Sequence, residues 1–170
     1  MTIVEAARTF IGQKEQPGNV FDSKTPLGAM VHAAGQLNGE AWCCYFAEGC
    51  AVMAYPHAES RIRKEFSANS VQCYKNLIAA GHIPSAFPVP GAIAFMQHYS
   101  NGVPTTKGHT YIVEKNLNTA FSQHATIEGN STQQGPREGD LVANNSRKTQ
   151  YDTDGLTTLG YIVLNYPKAA

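Results

Sequence analysis

Charge is scarce and balanced in this chain. Its 13 Lys and Arg residues cancel its 13 Asp and Glu residues, and charged side chains make up 15% of the whole, against about 25% in an ordinary soluble domain. The surplus of one sign that holds a protein on nucleic acid is therefore missing, as is a basic tail for an acidic partner. Long apolar runs are missing too. None approaches the roughly 18 residues of a membrane span, so no membrane contact is expected. The opening Met1-Thr2-Ile3-Val4-Glu5 has neither the basic nor the apolar region of a secretory signal. The chain is thus expected to be made in the cytoplasm without a signal peptide, and to act elsewhere only if another machine carries it. Cysteine is too sparse and too clustered for a disulfide framework: there are 4, namely Cys43, Cys44, Cys50 and Cys73. Cys50 follows Cys43 by about two helical turns, which reads as thiols on one helix, and no CxxC zinc pair occurs. One thiol kept for reactivity and three small buried hydrophobes is the expectation. The histidines His32, His57, His82, His98, His109 and His124 lack the helical or short-loop spacing of zinc ligands, although His98, His109 and His124 fall on neighbouring predicted strands. No metal and no cofactor are expected.

What is present begins with helix signals. Thr2 and Glu5 form a capping box before Ile3, Ala6, Ala7, Phe10 and Ile11, predicting a helix over 3–11 with Gly12 as its stop. Thr25-Pro26 starts a second, carrying Leu27, Met30, Val31 and Ala34 before Gly35. A third is predicted from Trp42 to about Ala54, with the small side chains Cys43, Ala47, Cys50, Ala51 and Ala54 on the face that can approach a sheet closely. A fourth runs from an Asn69/Ser70 cap to Gly81. After Gly81 the period changes. Strands are predicted over 92–96, 109–114, near 119–127 and over 158–165, while 97–107 and 129–157, rich in Gly, Asn, Ser, Thr and Gln, read as loops or weak strands. There is no internal repeat and no linker. Helices first and strands afterwards predict an α+β fold with an antiparallel sheet, in a single domain spanning 1–170 and acting as a monomer.

Cysteine catalysis needs a thiolate, a base within hydrogen-bond reach, and a group that orients the base. Cys43 falls where a helix begins, after the Gly35–Gly39 loop and Trp42, where unpaired N–H groups and the helix dipole favour an ionised thiol. Those N–H groups could also receive an oxyanion. His109 starts a strand after Gly108, so its ring can project over the sheet edge toward the helix end. Glu128 and Asn130 flank Gly129 at the close of the next strand, and strand alternation puts both on one face. Either could accept from the second ring nitrogen of His109. A carboxylate stabilises an imidazolium by charge where an amide only orients it, which favours Glu128, with Asn130 beside it at the strand end or against substrate.

The run Gly39-Glu40-Ala41-Trp42-Cys43-Cys44-Tyr45-Phe46 resembles the nucleophile motif of the CHAP family, the cysteine, histidine-dependent amidohydrolases/peptidases. Gly12-Gln13-Lys14-Glu15-Gln16-Pro17-Gly18-Asn19 is similar to that family's Gly-x-x-Glu-x-x-Gly-Asn loop, and Pro88-Val89-Pro90-Gly91-Ala92-Ile93-Ala94-Phe95 to its Pro-x-Pro-Gly-Asp-Ile-x-x-Phe strand. Gly108-His109, Ile127-Glu128-Gly129-Asn130 and Gly160-Tyr161 follow in the family's order, so the resemblance covers nearly the whole chain. Ala92 stands in place of the family's usual Asp, Ala41 in place of a Pro, and Cys44 where a small residue is common. The resemblance implies a papain-like fold and hydrolysis of an amide bond in the peptidoglycan stem peptide, its cross-link, or the link from muramic acid to L-alanine. It implies Cys43 as nucleophile, His109 as base and then acid, Glu128 as the orienting group, Asn130 as a polar assistant, and Trp42 and Asn19 at the substrate. Adjacent helical residues point about 100° apart, so only one of Cys43 and Cys44 can face His109. Such a domain suits a phage lysin, or an antibacterial effector delivered by a machine such as the type VI secretion system, the latter with a cognate immunity protein as partner. The other readings are an inactive module that binds cell-wall peptide, and acyl transfer to an amine on the same fold.

Overall fold

The computed structural model describes residues 1–118, 120, 122–132, 139–149 and 155–168. Five helices precede six strands: α1 (Ile3–Arg8), α2 (Pro26–Ala33), α3 (Cys43–Ala54), α4 (Glu59–Glu65) and α5 (Ser70–Ala79), then β1 (Ile83–Ser85), β2 (Ile93–Ser100), β3 (Val103–Asn116), β4 (Gln123–Ser131), β5 (Leu141–Lys148) and β6 (Leu156–Val163). The strands form one antiparallel sheet in the order β1-β6-β2-β3-β4-β5. The α+β class and the helix-then-strand order are as the sequence predicts. Among the described residues no helix is long and apolar enough to cross a membrane.

Local chemistry accounts for most helix starts. Thr2 Oγ1 accepts from Glu5 N and Glu5 Oε2 from Thr2 N, the reciprocal capping box, and Thr25 and Asn69 cap α2 and α5 by accepting from Gly28 N and Gln72 N. The first helix is shorter than predicted, ending at Arg8 with Thr9 as its C-cap, because Thr9 and Phe10 already bond carbonyls three residues back and tighten the turn. Helix α4, which carries the ion pairs Arg61–Glu65 and Arg63–Glu59 on its exposed side, has only Ile62 buried. So thin an apolar stripe gives little periodic signal, and no helix was expected there.

The polar segment 97–107, read from the sequence as loops or weak strands, takes the strand alternative on both sides of a turn. β2 and β3 run on to Ser100 and Val103 and are joined by Asn101-Gly102, both with positive φ (51° and 77°), the geometry of a two-residue hairpin turn. The predicted 119–127 strand lies at Gln123–Ser131; residues 119 and 121 fall outside the described residues. β5 (Leu141–Lys148) is a strand within 129–157, the segment read as loops or weak strands, of which 133–138 and 150–154 are likewise outside the described residues. β6 begins two residues earlier than predicted.

The alternation of each strand divides the sheet into two faces. Ile93, Phe95, Ile112, Ile127, Val142 and Ile162 meet the helices, and Ala94, Met96, Tyr111, Val113, Leu156 and Tyr161 form a second cluster on the opposite face. Helix α3 is the central helix of the first layer: it packs on α1, α2, α4, β3 and β4, and every residue from Cys43 to Ala51 is buried. That is why its cysteines, alanines and glycine are small.

Candidate active site

Cys43 is the first residue of α3, held there by its neighbours. Trp42 has no exposed surface; its ring packs edge-on against Phe21 and Phe46, and its Nε1 donates to Glu15 Oε2. The other Glu15 oxygen accepts from Asn19 N at 3.1 Å. Glu15, Gly18 and Asn19 thus form a buckle that seats Trp42 and so sets where α3 begins. Trp42, expected at the substrate, is sealed in the core with its N–H already paired, so what the structure shows of it is packing. No side chain caps the first turn of α3, which leaves backbone N–H groups at Cys43 for an incoming anion.

His109 lies on β3, on the face turned away from the helices together with Tyr111. Gly108 precedes it because a Cβ there would sit 2.2 Å from the Met96 carbonyl oxygen. Ser70 Oγ donates to the His109 carbonyl at 2.8 Å and accepts from Thr110 Oγ1 at 3.0 Å, so the backbone at His109 is pinned to α5. The ring, fully buried, meets Glu128 Oε2 through Nε2 at 2.9 Å. A carboxylate partner assigns the proton to Nε2. Nδ1 has no oxygen or nitrogen partner among the described residues, and it is this edge that is left to interact with the Cys43 thiol, which shifts together with the imidazole.

Glu128 is bonded to several donors through both of its oxygens. Besides His109 it accepts from Thr126 Oγ1 at 2.5 Å, Ser131 Oγ at 3.3 Å, and both Nε and Nη2 of Arg147 at 2.7 Å each. Asn130 does not compete for the ring. Its backbone takes a left-handed φ of 57° and the β4–β5 register breaks between Glu128 and Ser131. The bend after Gly129 separates the two side chains that simple alternation would keep together. Asn130 instead lines a cleft of about 530 Å³ with Asn19, Glu15, Ala41 and Asp140. Ala41 stands two residues before Cys43, which places the cleft beside the segment that enters α3, and Asn19 and Asn130 both line it.

The electrostatics follow from this wiring. The Cys43 thiol lies well below the ordinary cysteine value, first because Cys44 hydrogen-bonds to it and then through the hydrogen bond and charge of His109, against the cost of burial. Cys44 is driven the other way, first by that same bond and then by burial; its Sγ also meets Thr110 Oγ1 at 3.2 Å. Burial works hardest against charge on His109, but hydrogen bonds to Cys43 and Glu128 and their negative charges outweigh it and raise the imidazole to about 9. Burial also opposes charge on Glu128, yet His109 and Arg147 together hold its carboxyl well below the usual carboxylate range. These shifts all act in one direction, favouring a thiolate on Cys43 and an imidazolium on His109 with a carboxylate behind them.

The remaining candidates fall elsewhere. His98 Nδ1 meets Thr105 Oγ1 and His124 Nε2 meets Tyr111 Oη, so His98, His109 and His124, though on neighbouring strands, each serve a different partner, and among the described residues no three metal-binding side chains gather. Cys50 and Cys73 are buried, and desolvation pushes both thiols up, Cys73 to about 12. Arg147 was not anticipated. It sits on a strand reading Leu-Val-Ala-Asn-Asn-Ser-Arg-Lys, where no pattern separates a buried arginine from a surface one. Compared with known proteins, the chain matches no family model, no curated protein and no solved structure.

Proposed function

We propose that the chain is a papain-like cysteine amidohydrolase or peptidase that cleaves an amide bond of the bacterial cell-wall peptide. The observation that carries the chemistry is the buried His109, held by Glu128 through Nε2 and open toward Cys43 through Nδ1. The cell-wall substrate rests on the resemblance of the motifs around Gly12–Asn19, Trp42-Cys43, Gly108-His109 and Glu128-Gly129-Asn130 to the CHAP family.

In this reading the Cys43 thiolate attacks the amide carbonyl carbon while the oxygen gathers negative charge against the N–H groups at the start of α3. His109 then passes its Nδ1 proton to the departing amine, leaving a thioester on Cys43. Water enters, His109 takes its proton, and the resulting hydroxide releases the acid product and restores the thiolate. Glu128 stays ionised throughout and stabilises each imidazolium stage. Asn19 and Asn130 each offer an amide donor and acceptor, the complement of an extended peptide. Asn130 acts there, at substrate rather than at the ring. The same thioester could pass to an amine, and the product analysis reads that outcome directly. The reading implies a protein made in the cytoplasm that reaches a target wall by lysis or by a secretion machine, with an immunity protein as partner in the second case.

The test is digestion of purified sacculi followed by mass spectrometry of the soluble fragments. Wild type should release fragments with one new amine and one new carboxyl group at a single bond type, and Cys43→Ala none. A folded protein that binds sacculi and releases nothing from any wall chemotype would instead be a binding module.

A further inference from the structure

Behind the Cys43–His109 pair lies a buried cation that the mechanism above does not use. Arg147, on β5, has 6% of its side chain exposed, and its Nε and Nη2 grip the two oxygens of Glu128 at 2.7 Å each. The guanidinium also stands 5.4 Å from the ring centroid of Tyr111, which stacks on His124. The fork therefore cannot rotate without leaving its stacking partner.

This geometry decides what Glu128 can be. Oε1 accepts from Thr126 and Arg147; Oε2 accepts from His109, Arg147 and Ser131. A carboxylate has about four lone-pair sites, and here all are met by donors. A proton on either oxygen would point at another proton. Arginine is the one donor of the set that stays charged at every working pH. Without it, Glu128 would be a fully buried carboxylate whose only cationic partner is the catalytic imidazole, and that imidazole could share its proton with Oε2. The pair would then lose the cation that balances its second negative charge.

We propose that Arg147 is a positioning residue of the Cys43–His109 pair: by holding Glu128 through both oxygens it keeps the carboxylate ionised and aimed at His109 Nε2, so that the proton released by Cys43 stays on the imidazole. The proposal rests on Cys43 as the nucleophile but not on the identity of the substrate. The titratable groups around the fork are His109 and Tyr111 on β3, Glu128 and His124 on β4, Tyr161 on β6, and Cys43 on α3. His124 is pushed down to about 4 by burial and the two tyrosines are pushed up, first by burial. In the working range the charges that matter are therefore those of Cys43, His109, Glu128 and Arg147.

The experiment is the pH profile of Cys43 alkylation by iodoacetamide, located by tandem mass spectrometry, in full-length protein whose fold is checked by circular dichroism. Removing a buried cation raises the proton affinity of the whole cluster, so in Arg147→Met the acid limb should move up by about one pH unit. Arg147→Lys, which keeps the charge and loses the fork, should fall between Arg147→Met and wild type. In a Glu128→Gln background Arg147→Met should add little, because its effect passes through the carboxylate; this double variant leaves no unpaired buried charge and is the one expected to fold best. A folded Arg147→Met or Arg147→Lys with the wild-type limb would overturn the proposal. So would a full extra shift in the Glu128→Gln background. If sacculi are not cleaved while these limbs move as described, the substrate assignment fails and the role of Arg147 stands.

Discussion

Gly129 is the point at which β4 meets the helix that carries Cys43. A Cβ built there would lie 2.6 Å from both Phe46 Cβ and Trp42 Cζ3 and 2.8 Å from Phe46 Cγ. Neither neighbour can turn aside. Trp42 is tied to Glu15 and wedged against Phe21, Phe46 is wedged against Phe10 and Trp42, and both rings are fully buried. Ordinary contact begins at 3.4 Å, so in Gly129→Ala the strand and the helix must part by about 0.8 Å. Overpacking of this kind costs roughly 1–3 kcal/mol. In a chain of this size that lowers Tm by roughly 3–10 °C. The displacement also moves Glu128, the preceding residue, away from His109. A misplacement near 1 Å costs on the order of 100-fold in rate, so Cys43 alkylation at pH 7 and any hydrolysis should fall by about 10- to 100-fold. Thermal unfolding followed by circular dichroism and the alkylation rate measure the two effects separately. A Gly129→Ala protein that melts within about 1 °C of wild type and reacts at its rate would refute the idea that contact between β4 and α3 sets the geometry of the pair.

Cys44 should prove a supporting residue: Cys44→Ser keeps a donor to Cys43 and most of the activity, Cys44→Ala shifts the acid limb of Cys43 alkylation upward, and a complete loss in Cys44→Ser would reverse the assignment of the nucleophile. His109 is raised to about 9, so its charged form is present below that value and lost above it; hydrolysis should decline as pH passes about 9, and a basic limb near 6.5 would show that Cys43 and Glu128 do not hold the imidazolium. Glu48, buried on α3 against Arg63 at 3.2 Å, is pushed up to about 7, first by desolvation. A raised carboxyl contributes its stability below the unfolded value and loses it as pH climbs through the folded one. Glu48→Gln should therefore gain on the order of 1 kcal/mol over wild type at pH 8 and nothing at pH 4, as read by urea unfolding at the two pH values.

Features legible in the chain are those whose cause is local. Thr2, Thr25 and Asn69 cap helices because each hydroxyl or amide bonds a backbone N–H three residues away, and no distant residue is needed for that. Asn101-Gly102 carried the same kind of signal for a hairpin, obscured by the polar strands on either side of it. Helix α4 gave no signal and strand β5 only a weak one, because their buried residues are too few or too mixed to set a period.

The sequence by itself determined the α+β order, the start of α3 at Cys43, and a short set of residues able to perform cysteine chemistry. Tertiary structure decided how that set is divided. Only the bend after Gly129 parts Glu128 from Asn130, sending one to the imidazole and the other to the cleft. Only the tertiary packing against Phe21, Phe46 and Glu15 places Trp42, expected at the substrate, inside the core. Arg147 reaches Glu128 across a pairing of two strands, and a contact between residues far apart in the chain depends on register and twist, which no local run of side chains encodes.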